Sequence, residues 1–211
     1  MILGNRFAAL IWMASCGVTI AYNRGCDFNG MDLDSVVEKV LGLLPPYHAP
    51  DDREFRTAFS GLKTGTLNVT GLDNIHRYGP IQPYCVNGNR LISLDVIAPS
   101  SVVMSLPWRA CSGQEGTLNM RTGLSRFTLV FRVEAAASNE APILAYEGPI
   151  IPVYILEPHM YIDGAGRGVS AASMIVSKLV PAFTEEVWND YFFVYFRGAL
   201  RQALRDAFEK Q

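Results

Sequence analysis

Residues 187–196, Val-Trp-Asn-Asp-Tyr-Phe-Phe-Val-Tyr-Phe, decide the fold. Two apolar stripes at helical spacing meet there. Val176, Val180, Phe183, Val187, Tyr191 and Val194 form one, and Phe192, Phe196, Leu200, Leu204 and Phe208 form the other. Where they overlap the helix is apolar nearly all round, the pattern of a helix enclosed by protein rather than laid on its surface. This long helix is predicted to begin near Ser170, with Pro181 either kinking it or starting its main part.

Upstream the apolar period shortens from 3.6 to 2. Leu67 and Val69 alternate with Thr66, Asn68 and Thr70; Ile92, Leu94 and Val96 alternate with Ser93 and Asp95; Phe127, Leu129, Phe131 and Val133 alternate with Thr128, Val130, Arg132 and Glu134. Val102 to Trp108, and Leu118 with Met120, read as further strands. From Ile143 to Ile162 the chain stays apolar but carries Pro149, Pro152 and Pro158, which cannot donate ladder bonds, so it is expected at an edge or a bulge. Short strands joined by tight turns imply antiparallel pairing. A few strands enclose a helix only by twisting around it. The expected fold class is therefore α+β, a curled antiparallel sheet wrapped around a long C-terminal helix.

A short N-terminal helix should precede the sheet. Asp32 can cap it, and Leu33, Val36, Val37, Val40, Leu41 and Leu44 recur on one face until Pro45-Pro46 ends it. Tyr47 to Phe59 is polar and charged and is expected as a loop or helical turn. A hairpin between residues 90–97 and 101–108, turning near Pro99, would set Cys85 and Cys111 at similar distances from the turn, so those two are the expected disulfide.

Asn5-Arg6 precedes an apolar run from Phe7 to Ile20 that ends among small residues, the build of a secretory signal peptide. Cleavage is expected after Ala21, with Gly17 the second choice, leaving 22–211 as a single domain that faces an extracellular, oxidising compartment. The 18 basic residues become 17 once Arg6 is removed, against 20 acidic, which gives no clustered basic surface for nucleic acid. No transmembrane segment is expected after cleavage. Cys16 leaves with the signal peptide, so Cys26 remains free, blocked or paired with another chain. Asn68-Val69-Thr70 is the one N-glycosylation sequon, usable if Asn68 points outward.

Catalytic chemistry finds no material. Ser125 follows Gly123 but lacks the second glycine of a nucleophile elbow. His48, His76 and His159 are widely separated, with no metal-ligand spacing between them. Gly164, Gly166 and Gly168 open a helix, yet no second strand follows to complete a dinucleotide-binding unit. No catalytic residue, metal or cofactor is therefore expected. Arg197, Arg201 and Arg205, at four-residue steps, are a candidate contact for anionic lipid headgroups.

In order of elements the chain resembles the single-domain branch of the tubular lipid-binding superfamily, which includes takeout, juvenile-hormone-binding and group seven mite allergen proteins. The likeness is closest to the mite allergens in the stretch from Gly61 to Leu72, followed by Asp73 to Gly79, and it continues in pattern through Lys178 to Val187 and Leu200 to Phe208. The resemblance implies a half super-roll with an apolar groove between helix and sheet, and binding of a lipid, lipopeptide or terpenoid without catalysis. The cysteines depart from the N-terminal pair of the hormone carriers, which favours a general lipid or microbial amphiphile over juvenile hormone.

Together these readings predict a secreted protein holding an apolar small molecule or lipid. Its contacts should come from Leu67, Val69, Ile92, Leu94, Val96, Phe127, Leu129 and Phe131 on the sheet and Phe183, Val187 and Tyr191 on the helix. The alternative is an interaction or structural protein whose core is filled by its own side chains. A secreted hydrolase with a divergent site is the remaining reading.

Overall fold

The computed structural model describes residues 26–50, 54–134 and 142–208. The proposed signal peptide and its cleavage site lie outside the described residues. Helix α1 spans Leu33–Gly42 and is capped as expected, with the Asp32 carboxylate accepting from the Ser35 amide at 3.0 Å. Burial of Val36, Val37, Val40 and Leu41 fixes it against the rest of the molecule.

Twelve strands follow among the described residues: β1 Tyr47–His48, β2 Arg56–Phe59, β3 Leu62–Thr64, β4 Asn68–Thr70, β5 His76–Val86, β6 Asn89–Pro99, β7 Val103–Ala110, β8 Glu115–Arg121, β9 Leu124–Glu134, β10 Ile143–Tyr146, β11 Ile151–Leu156 and β12 His159–Asp163. The segment expected as a loop, Tyr47 to Phe59, thus contributes β1 and β2. Their side chains are mostly exposed, so apolar periodicity carried no signal of them.

All strand pairs are antiparallel. One sheet runs β1-β4-β7-β3-β2, with β8 on the other edge of β7 and β12 beyond β8; the other runs β10-β9-β6-β5, with β11 sharing the edge of β9. The two sheets are one structure bent at a corner. β6 pairs with β9 along its length, β7 pairs with β8, and the chain crosses between sheets at Pro99–Val103 going out and at Thr122–Gly123 coming back. A single long two-stranded ribbon therefore folds over at its middle, which curls the sheet as the sequence led one to expect.

This ribbon replaces the expected hairpin between residues 90–97 and 101–108. Pro99 begins a tight turn, with the Val102 amide donating to its carbonyl at 3.0 Å, but the turn diverts the chain into the other sheet instead of reversing it. Reversal comes only at Ala110–Gln114. Cys111 is carried to that far tip, where it is free and exposed, while Cys85 stays at the end of β5 and is bonded to Cys26, with 5.9 Å between their Cα atoms. The expected Cys85–Cys111 bridge is therefore incorrect.

Gly71 holds the corner together. It sits at φ 77°, and a Cβ there would lie 2.4 Å from the Ser101 carbonyl oxygen, so no other residue fits. The C-terminal helical run divides at Val180, giving α2 Arg167–Leu179 and α3 Pro181–Phe208, because a proline suits the first turn of a helix and not its interior.

Helix α3 lies in the concave side of the curl, packed against α1 and strands of both sheets. The fold class read from the sequence holds: curled antiparallel strands around a long C-terminal helix, with a short helix in front. Enclosure is one-sided, however. Phe192, Phe196 and Leu200 are fully buried, whereas Tyr191 and Val194 are more than half exposed.

Candidate ligand cavity

The interior divides into a solid half and a hollow half along α3. In the solid half Phe127 of β9 meets Phe192, Phe193 and Phe196 edge-on at 5.8, 5.2 and 5.1 Å between ring centroids, the favoured geometry for aromatic pairs. Ile92, Leu94 and Val96 of β6 and Leu129 and Phe131 of β9 are buried in the same core cluster. Val69 belongs to the same core. These seven expected ligand contacts are packing residues.

The hollow half lies between the first sheet and the N-terminal part of α3. A cavity of about 690 Å3 opens there. Leu67, Phe183, Val187 and Tyr191 line it, and these are the four expected contacts that the structure brings together around open space. Phe183, Val187, Tyr191 and Tyr195 come from successive turns of one α3 face, since residues four apart share a face. Exposure of Phe183 and Tyr191 shows that the cavity opens to solvent along this helix.

Opposite α3, alternation in the strands supplies the floor: Met104 and Leu106 from β7, Leu118 and Met120 from β8, and Met160 from β12. Ladder register sets Met104 beside Met120, Leu106 beside Leu118, and Met160 beside Met120. Three thioethers and the leucines form a wall whose flexible side chains adapt to the shape they meet. Sequence reasoning found these strands but did not nominate their inward positions; the period-two alternation of Met104 with Leu106 and of Leu118 with Met120 was the available signal.

One end is polar. Glu54, Arg56, Thr64 and Thr66 line it, each from the β2–β4 region, beside Pro50 and Gly65. On the α3 side of the cavity, burial, reinforced by Tyr191, pushes the Tyr195 phenol above its usual value, so it is a neutral hydroxyl there. A mostly apolar space with polar groups toward one end of β7 matches the chemistry of an amphiphile.

No family model matches the chain, and no curated protein matches it. Among solved structures, Takeout 1 from Epiphyas postvittana is similar to it at a TM-score of 0.39 and 12% identity, over 83% of this chain and 86% of that one. The cavity's geometry rests on this chain's own residues.

The remaining expected sites fall elsewhere. Asn68 faces away from the core, since Val69 beside it is buried, and is half-buried on β4 between β1 and β7. Arg197 is half-buried, 6.0 Å from the Tyr146 ring, while Arg201 and Arg205 are exposed on the far half of α3, away from the cavity lining. Ser125 is fully buried and its hydroxyl lacks a hydrogen-bond partner. Among the described residues there is no cluster of metal-ligating side chains, and no helix is long and apolar enough to cross a membrane.

Proposed function

We propose that the protein is a secreted, non-enzymatic carrier of a lipid-like amphiphile, held between α3 and the β7–β8–β12 wall. One observation carries the reading: a cavity of about 690 Å3 with a continuous apolar floor and polar groups at one end. Its size falls within the roughly 300–1,000 Å3 typical of small-molecule sites. Binding would draw its free energy from apolar area removed from water, at roughly 25 cal/mol per Å2 before association costs are subtracted. The sequence resemblance to the group seven mite allergens over Gly61 to Gly79 supports reading the chain as a single-domain member of the tubular lipid-binding superfamily.

The ligand's polar end sits in this proposal near Arg56, Thr64 and Thr66, and its apolar body lies along Met104, Met120 and Met160. Substituting Leu118→Trp fills the space without touching the solid half. Uptake of a fluorescent long-chain fatty acid by the parent protein should reach about one per chain, and the variant should lose it while keeping its melting temperature within a few degrees. Absence of uptake across fatty acids, isoprenoid alcohols and their esters would overturn the proposal.

A further inference from the structure

Helix α2 is amphipathic the wrong way round. Its residues alternate between serines and aliphatic side chains at helical spacing, and the serines face the protein. Ser177 is buried, Ser170 and Ser173 are half-buried, and the Ser173 hydroxyl accepts from the Ile162 amide at 3.1 Å on the open edge of β12. The aliphatic face points into solvent: Leu179 is 74% exposed and Ile175 61%, with Val169, Met174, Val176 and Val180 beside them. Scattered exposed apolar residues need no explanation, but a contiguous helix face does.

Charge narrows the occupant. From residue 167 to residue 184 the only charged side chains are Arg167 and Lys178, both basic; acidic residues resume at Glu185. Aliphatic side chains with basic flanks and no acids are the composition of a helix that lies in the headgroup region of an anionic bilayer. Protein-interface hot spots are enriched in aromatic residues, and the outward face of α2 from Val169 to Val180 carries none. Phe183 both extends this face and lines the cavity, so a bilayer seated there would adjoin the cavity mouth.

We propose that the outward face of α2 docks the protein onto anionic lipid bilayers. The docking is independent of whether the cavity carries a ligand. The full chain, expressed in a secreting host, should float with vesicles of phosphatidylcholine and phosphatidylserine and much less with phosphatidylcholine alone. Ile175→Glu combined with Leu179→Glu should lower vesicle partitioning by about tenfold, since two charges enter the apolar layer. Val153→Glu, at an exposed apolar position on β11, should leave partitioning unchanged.

Circular dichroism melts check that each variant is folded. Fatty-acid probe uptake measured without vesicles reports the cavity separately, because neither Ile175 nor Leu179 lines it. A parent protein that ignores anionic vesicles, or a double variant that binds them undiminished, overturns the proposal. So does a parent dimer that the double variant dissociates without any vesicle binding, which would make the face a contact between two copies of this chain.

Discussion

Asp95 and Arg126 pair across β6 and β9 on the outward face of the second sheet, where Arg126 also lies 4.5 Å from the Tyr78 ring. Burial alone would raise the Asp95 carboxyl, but hydrogen bonds from Thr128 and Arg126, with the guanidinium charge, outweigh it and hold the group below its ordinary 3.8. A carboxyl depressed in the folded state stabilises it above the unfolded value and stops doing so as pH falls through the folded one. The melting temperature of the parent should therefore exceed that of Asp95→Asn by a constant margin above about pH 5, and the margin should narrow below 3.8. A margin that grew on acidification would contradict this assignment. None of it was visible in the sequence, where Asp95 reads only as the polar member of an alternating strand; the partner lies 31 residues away.

Among elements, those with a strong internal period were legible and those defined by long-range pairing were not. The apolar face of α1, the alternation of β6 and β9, and the Phe192–Phe196–Leu200 stripe of α3 each declare themselves locally. β5 carries Pro80 and Pro83 and a register shift between Tyr78 and Gln82, so no period survives in it. The Val176–Val194 stripe holds in its middle, where Phe183, Val187 and Tyr191 line the cavity, but Val176, Val180 and Val194 face solvent, because period gives a helix face and not which side the protein occupies. On α2 the serines won that contest through the edge of β12. The expected Cys85–Cys111 pairing fails because the turn at Pro99 does not reverse the chain. Cys26–Cys85 instead ties the segment before α1 to β5, where the Asp27 carbonyl also accepts from Arg90 at 3.2 Å. Closing a loop across 59 residues of sequence stabilises by restricting the unfolded chain, so Cys85→Ser should cost about 2–4 kcal/mol in urea denaturation. A non-reduced peptide map should join the same two cysteines and leave Cys111 open to maleimide.

At the scale of the whole molecule, one helix serves two interiors. The C-terminal half of α3 is held by rings and small residues, with Ala199, Ala203 and Ala207 letting neighbouring elements approach closely, and this half supplies stability. In the N-terminal half one face, carrying Phe183, Val187 and Tyr191, borders the cavity, while Trp188 and Phe192 on the neighbouring face are fully buried. Such a division makes stability and binding separable by mutation. Phe196→Ala removes a fully buried ring that contacts Phe127 and Phe192, and should cost about 3–5 kcal/mol. Below its lowered melting temperature it should still take up the fatty-acid probe with affinity within about twofold of the parent, because the residue lies outside the cavity lining. Leu118→Trp should do the reverse, abolishing uptake at little cost in stability. Paired calorimetry and probe titration on the two variants decide the matter: if Phe196→Ala loses binding in proportion to its loss of stability, the solid and hollow halves are one coupled core and the cavity is not an independent site.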